Sequence, residues 1–185
     1  MDTGNLAWGI TATALVLLMT PGVAFFYGGL VKAKSVVSMM MMSFGALALV
    51  GVLWILYGAG MSAVGGPGEF AGNPLSGLGL AGLGNEELLG AAFGATFAII
   101  TVALISGAIA DRAKFGAWMV FAGIWVTIVY FPVAAWVWGG GWIMELGTLL
   151  GGLPSVIDYA GGTAVHINAG AAALALAIVL GRRVV

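Results

Sequence analysis

The sequence predicts an all-α integral membrane protein with five transmembrane helices, on three observations. Of its 185 residues, 62% are hydrophobic and 7% charged, whereas a soluble domain carries about 25% charged residues in order to face water. The apolar residues gather into five runs, each long enough to supply the roughly 20 residues that cross a hydrocarbon core. All six Lys and Arg residues fall in alternate linkers, the asymmetry that membrane insertion imposes.

The first run is Ala7–Val31, and no Lys or Arg precedes it or lies within it. A cleaved signal peptide opens with a basic stretch, so this run is expected to stay as a helix. Pro21-Gly22 in its interior predicts a kink or a freed carbonyl. Lys32–Ser35 leads to the second run, Val36–Gly60. Four consecutive residues, Met39 to Met42, wrap a whole helix circumference there, which suits flexible apolar filler and not a metal-binding stripe.

A Gly-rich linker, Met61–Glu87, follows. Its Gly77–Gly82 stretch matches a dinucleotide-binding pattern in spacing but lacks the strand and the βαβ unit that pattern requires. Glu86 and Glu87 suit a helix N-terminus, and as an acidic pair they would weakly attract cations. The third run is Leu88–Ala110, with Gly90 and Gly94 spaced either for close helix approach or by chance in a chain of 32 glycines. Asp111–Phe115 links it to the fourth run, Gly116–Trp138. The Gly139–Asp158 linker then leads to the fifth, Tyr159–Gly181.

Lys32, Lys34, Arg112, Lys114, Arg182 and Arg183 all follow odd-numbered runs, and the long even linkers carry Glu69, Glu86, Glu87, Glu145 and Asp158. By the positive-inside rule the odd linkers are cytoplasmic, the N-terminus is outside and Val185 is cytoplasmic. Cys is absent, so neither a disulfide framework nor a thiolate metal site is expected. No basic patch invites nucleic acid, and nothing in the sequence asks for a cofactor.

His166 is the single histidine and lies inside the fifth run. Ionisable groups at membrane depth are costly and usually face a protein interior or a pathway. The alternative is a packing histidine bonded to a neighbouring helix. With no second His and no Cys, metal binding is not expected. Asp158 opens the same run, where its carboxylate is placed to accept first-turn N–H groups. A buried carboxylate there would also lower the energy of a nearby cation, and the two roles are compatible. Phe93 and Phe97 share a helix face, and Trp138 ends the fourth run. Singly they read as packing and as an interfacial aromatic belt; together they could form a cage for a small cation.

Longer strings carry a family resemblance. Pro21-Gly-Val-Ala-Phe-Phe-Tyr-Gly-Gly-Leu, Thr96-Phe-Ala-Ile-Ile-Thr with Gly107-Ala-Ile-Ala-Asp-Arg, and Trp136-Val-Trp-Gly-Gly-Gly resemble segments of the ammonium transporter family. The most specific is Asp158-Tyr-Ala-Gly-Gly-Thr-Ala-Val-His-Ile-Asn-Ala. The resemblance runs the length of the chain. It implies that residues 1–185 are the first of two inverted five-helix repeats, the N-terminal half of the transporter domain.

It further implies that Phe93, Phe97 and Trp138 form an outer recruitment site for ammonium, with Phe97 also in a pore gate. Asp158 would support that site without binding directly, and His166 would be the first of two pore histidines. The implied function is transport of ammonium, not enzymatic chemistry. The implied setting is a multi-pass protein of the cell membrane, homotrimeric in its full-length form, with ammonium or ammonia, and methylammonium as an analogue, for substrate. The second pore histidine and the second gate would lie in a repeat that this sequence does not include, so a fragment or a truncated form is expected. An ammonium sensor on the same scaffold and a non-conducting fragment are the alternatives.

Overall fold

A computed structural model describes residues 2–183, and among these every regular element is helical. Five helices are long and apolar enough to cross a membrane: α1 (Thr3–Gly28), α2 (Ala33–Met61), α3 (Asn85–Ile109), α4 (Phe115–Val137) and α5 (Gly162–Leu180). All five expected runs are present, and side-chain caps set the starts of α1 and α3. α1 begins at Thr3 because the Asp2 carboxylate accepts the Asn5 N–H at 2.8 Å, filling one of the orphan donors of a first turn. α3 begins at Asn85, with the Glu87 carboxylate reaching back to the Gly84 N–H at 2.8 Å, as its position near a helix start led one to expect. Pro21 sits inside α1, which continues to Gly28 without a break. Of the two expectations there, the freed carbonyl applies, since Pro21 offers no N–H to Leu17.

α3 and α4 hold the core, with α2 packed across both. Ala46, Val50, Ile100, Val102, Val126 and Phe131 are buried in one cluster. Two tryptophans tie helices together by their ring N–H groups: Trp54 donates to the Ala91 carbonyl and Trp118 to the Met42 carbonyl, each at 2.9 Å. In a medium without water such a donor needs a protein partner. A β-carbon on Gly94 would lie 2.7 Å from the Trp54 ring, so glycine there permits the close α2–α3 approach, whereas Gly90 has nothing within 4 Å. The close-approach reading therefore holds for Gly94 and fails for Gly90, which is exposed. Met39 and Met42 are buried and Met41 is exposed, as a run wrapping the helix requires. Leu15, Leu18, Phe25 and Phe26 leave a broad apolar face on α1 open.

Three stretches widen into π-helix: Trp54–Gly58 in α2, Val126–Tyr130 in α4 and Gly162–Ile167 at the start of α5. The first two face one another, with the Tyr57 and Thr127 hydroxyls hydrogen-bonded at 2.9 Å.

The basic linkers meet at one end of the bundle. Arg183 pairs with the Asp111 carboxylate, and Arg112 donates to the Gly181 and Ala108 carbonyls. Lys32 and Lys34 border a hollow of about 270 Å³ shared with Asp111. The Ser35 hydroxyl and then Arg183 hold the Asp111 carboxyl below its usual range. Five antiparallel crossings leave the acidic linkers at the opposite end. The expected cytoplasmic placement of Val185 lies outside the described residues.

Candidate functional site

At the acidic end, α3, α4 and the start of α5 bring four of the five expected site residues around one pocket. Phe93 and Phe97 stand one turn apart on α3, their rings edge to face with centroids 4.8 Å apart and planes at 81°. The Trp138 ring meets Phe97 at 5.5 Å and 65°. The pocket holds about 330 Å³, and its walls include Phe93, Phe97, Trp138, Asp158, Tyr159 and Gly161. A small cation within about 6 Å of an aromatic centroid is attracted by the ring quadrupole. These spacings let one such ion touch more than one ring.

Asp158 organises the site through two different groups. Its backbone carbonyl accepts the Trp138 ring N–H at 3.1 Å. Its carboxylate Oδ2 accepts the N–H groups of Thr163 and Ala164 at 3.0 and 2.9 Å. The capping reading is therefore correct, although the cap sits four residues ahead of the helix, which starts at Gly162 and not at Tyr159. The intervening turn closes through Gly161 at φ +79°, a left-handed backbone that glycine adopts without steric cost.

His166 lies apart from this pocket. It belongs to the π-helical turn Gly162–Ile167 and is exposed, on the same side of α5 as Gly170, Leu174 and Ile178, which are exposed too. No hydrogen bond or ion pair of its side chain is present among the described residues. The packing reading is overturned, because no described helix covers the side of α5 that carries it. No group of three acidic or histidine side chains able to hold a metal occurs among the described residues.

Sequence reasoning missed Tyr159 and Gly161 as pocket walls. Tyr159 reads as the first residue of a span, yet it is 95% exposed. The left-handed glycine that ends the loop was the available signal.

Comparison with known proteins agrees with this arrangement. The model of the Ammonium Transporter Family matches residues 7–185. The ammonium transporter of Mycobacterium tuberculosis is 52% identical over 206 residues, covering 98% of this chain and 43% of the relative. That of Aquifex aeolicus is 48% identical, with 99% and 43% covered. Among solved structures, the Mep2 mutant delta442 from Candida albicans superposes with a TM-score of 0.84 at 33% identity, over 98% of this chain and 46% of that one. Mep2 of Saccharomyces cerevisiae gives 0.81 at 33% identity, over 99% and 42%. This chain spans less than half the length of the curated relatives it matches. With its five apolar helices it is a multi-pass membrane protein, similar to transporters and not to enzymes, and it belongs to the ammonium transporter family.

Proposed function

We propose that this chain supplies one wall of a pathway for ammonium across the cell membrane. The observation that carries this reading is the pocket in which Trp138 is held between the Phe97 ring and the Asp158 carbonyl. In this reading Phe93, Phe97 and Trp138 recruit the cation at the outer side and Phe97 narrows the entry below it. Asp158 keeps the site in shape, and His166 lines the apolar pore. The basic end of the bundle faces the cytoplasm and the N-terminus faces out. Residues 1–185 form the first of two inverted five-helix repeats, and the complete protein is a homotrimer.

Magnitudes decide the form in which substrate crosses. A charge at the bilayer centre costs about 3 kcal/mol on insertion scales and about 10 or more in simulations. A desolvated cation–π contact returns about 2 kcal/mol. The aromatic pocket therefore selects ammonium and strips its water but does not carry the charge through an apolar pore. Ammonium gives up its proton on the outer side, ammonia passes His166, and a proton is taken up again inside.

The test uses a chimera in which this chain replaces the matching part of the mycobacterial relative. Trp138→Leu should raise the apparent KM for methylammonium several-fold and weaken discrimination against other monovalent cations, with the pathway still open. Unchanged KM and unchanged discrimination would refute recruitment at this pocket.

A further inference from the structure

Trp136 lies in the last turn of α4 and Trp138 follows directly after the helix, and the second alone borders the aromatic pocket. Side chains at i and i+2 do not share a helix face, so whatever holds Trp136 turns Trp138 the other way. Trp136 is held by the long Gly-rich loop between α2 and α3. Its ring N–H donates to the Phe70 carbonyl at 2.7 Å. The Phe70 ring meets it edge-on, with centroids 5.4 Å apart and planes at 71°, and Trp142 lies 6.0 Å away.

The backbone is tied at the same place. The Val64 N–H donates to the Gly139 carbonyl and the Met144 N–H to the Trp136 carbonyl, each at 2.9 Å. A β-carbon on Gly139 would fall 2.2 Å from the Ser62 carbonyl, so the residue after Trp138 must be glycine for the loop to sit this close. Phe70 is 65% exposed and lies outside the buried cluster that holds the helices together. A contact so exposed contributes little to the core, yet it ends within two residues of the pocket's tryptophan.

We propose that the α2–α3 loop is a latch, in which Phe70 and Trp136 act as positioning residues for the Trp138 indole. Anchoring Trp136 fixes the last turn of α4, and that turn aims Trp138 at Phe97 and the Asp158 carbonyl. Through that aim the latch sets how well the pocket holds its cation, a consequence that rests on the recruitment reading above.

Two readouts separate the claims. The chain has no cysteine, so Tyr159→Cys on the pocket wall takes a single bimane label, whose fluorescence a neighbouring indole quenches. Trp138→Leu in the same background gives the unquenched reference. Phe70→Ala should move quenching at least halfway to that reference, and Phe70→Tyr should leave it as in the parent. Quenching unchanged by Phe70→Ala overturns the latch. In the chimera, Phe70→Ala should raise the KM for methylammonium several-fold at unchanged maximal rate. A loss of maximal rate at unchanged KM means a merely structural contact and also overturns it. If Trp138→Leu itself leaves KM unchanged, the recruitment reading fails, and quenching alone decides the latch. Should Phe70→Ala not fold, Trp136→Phe, which removes the ring N–H donor together with half of the indole, takes the same two measurements.

Discussion

Asp158 holds its neighbours through both its carboxylate and its backbone carbonyl. Its carboxylate caps Thr163 and Ala164 while its carbonyl holds Trp138, so one residue joins the start of α5 to the aromatic pocket. Replacing such a cap with alanine costs about 1 kcal/mol. Asn keeps an acceptor oxygen in the same place, so Asp158→Asn should retain apparent affinity for methylammonium within about two-fold, on the scale of a few tenths of a kcal/mol. Asp158→Ala should lose several times more. Equal losses in the two variants, measured by uptake in the chimera, would show that the charge itself is what the site needs.

At the scale of elements, most of the architecture was legible because apolar run length and charge placement are strong signals in a lipid-facing chain. Four of the pocket's residues were legible, Phe93 and Phe97 as one helix face by their spacing and all four with Trp138 and Asp158 through the family resemblance, whereas Tyr159 and Gly161 were not. The π-helical turns were not, since a helix that widens by one residue per turn leaves no mark on composition or periodicity. The later start of α5, at Gly162 and not Tyr159, has another cause: the turn from Asp158 to the left-handed Gly161 that caps the helix. π-Helical turns recur at functional sites, and the one in α5 carries His166. The two glycines of the Gly90–Gly94 pair were indistinguishable in sequence and differ in space. Gly94→Ala should destabilise by about 1–3 kcal/mol through overpacking against Trp54. Gly90→Ala should be neutral or stabilising, because alanine exceeds glycine in a helix by about 1 kcal/mol. Thermal unfolding of both in detergent compares them directly, and a similar loss in both would remove the Trp54 contact from the account.

For the whole molecule, the charges describe two ends with different chemistry. The Asp111 carboxyl lies below its ordinary range because Ser35 and Arg183 stabilise the ionised form. Its contribution to stability is thus fully present above the ordinary carboxylate pKa of about 4 and is lost as pH falls through the lower folded value. The stability gap between the parent chain and Asp111→Asn should be constant from pH 8 to about pH 5 and close in stronger acid. A gap that closes near neutrality would contradict this assignment. Orientation has its own check: Ser76→Cys should react with an impermeant reagent added outside cells, and Lys34→Cys should not. The reverse pattern would turn the molecule over.

The central claim is that residues 1–185 are one wall of a pathway that needs a second. A single repeat leaves His166 and the exposed stripe of α5 with no facing helix, and a closed path across lipid requires both walls. The most direct measurement is ammonium-dependent flux into liposomes that hold either purified residues 1–185 or the chimera. The account predicts no flux above empty liposomes for residues 1–185, and flux through the chimera that His166→Ala abolishes or turns into unselective leak. Robust ammonium-specific flux from residues 1–185 alone would contradict it and would mean that copies of this chain close a pore between themselves.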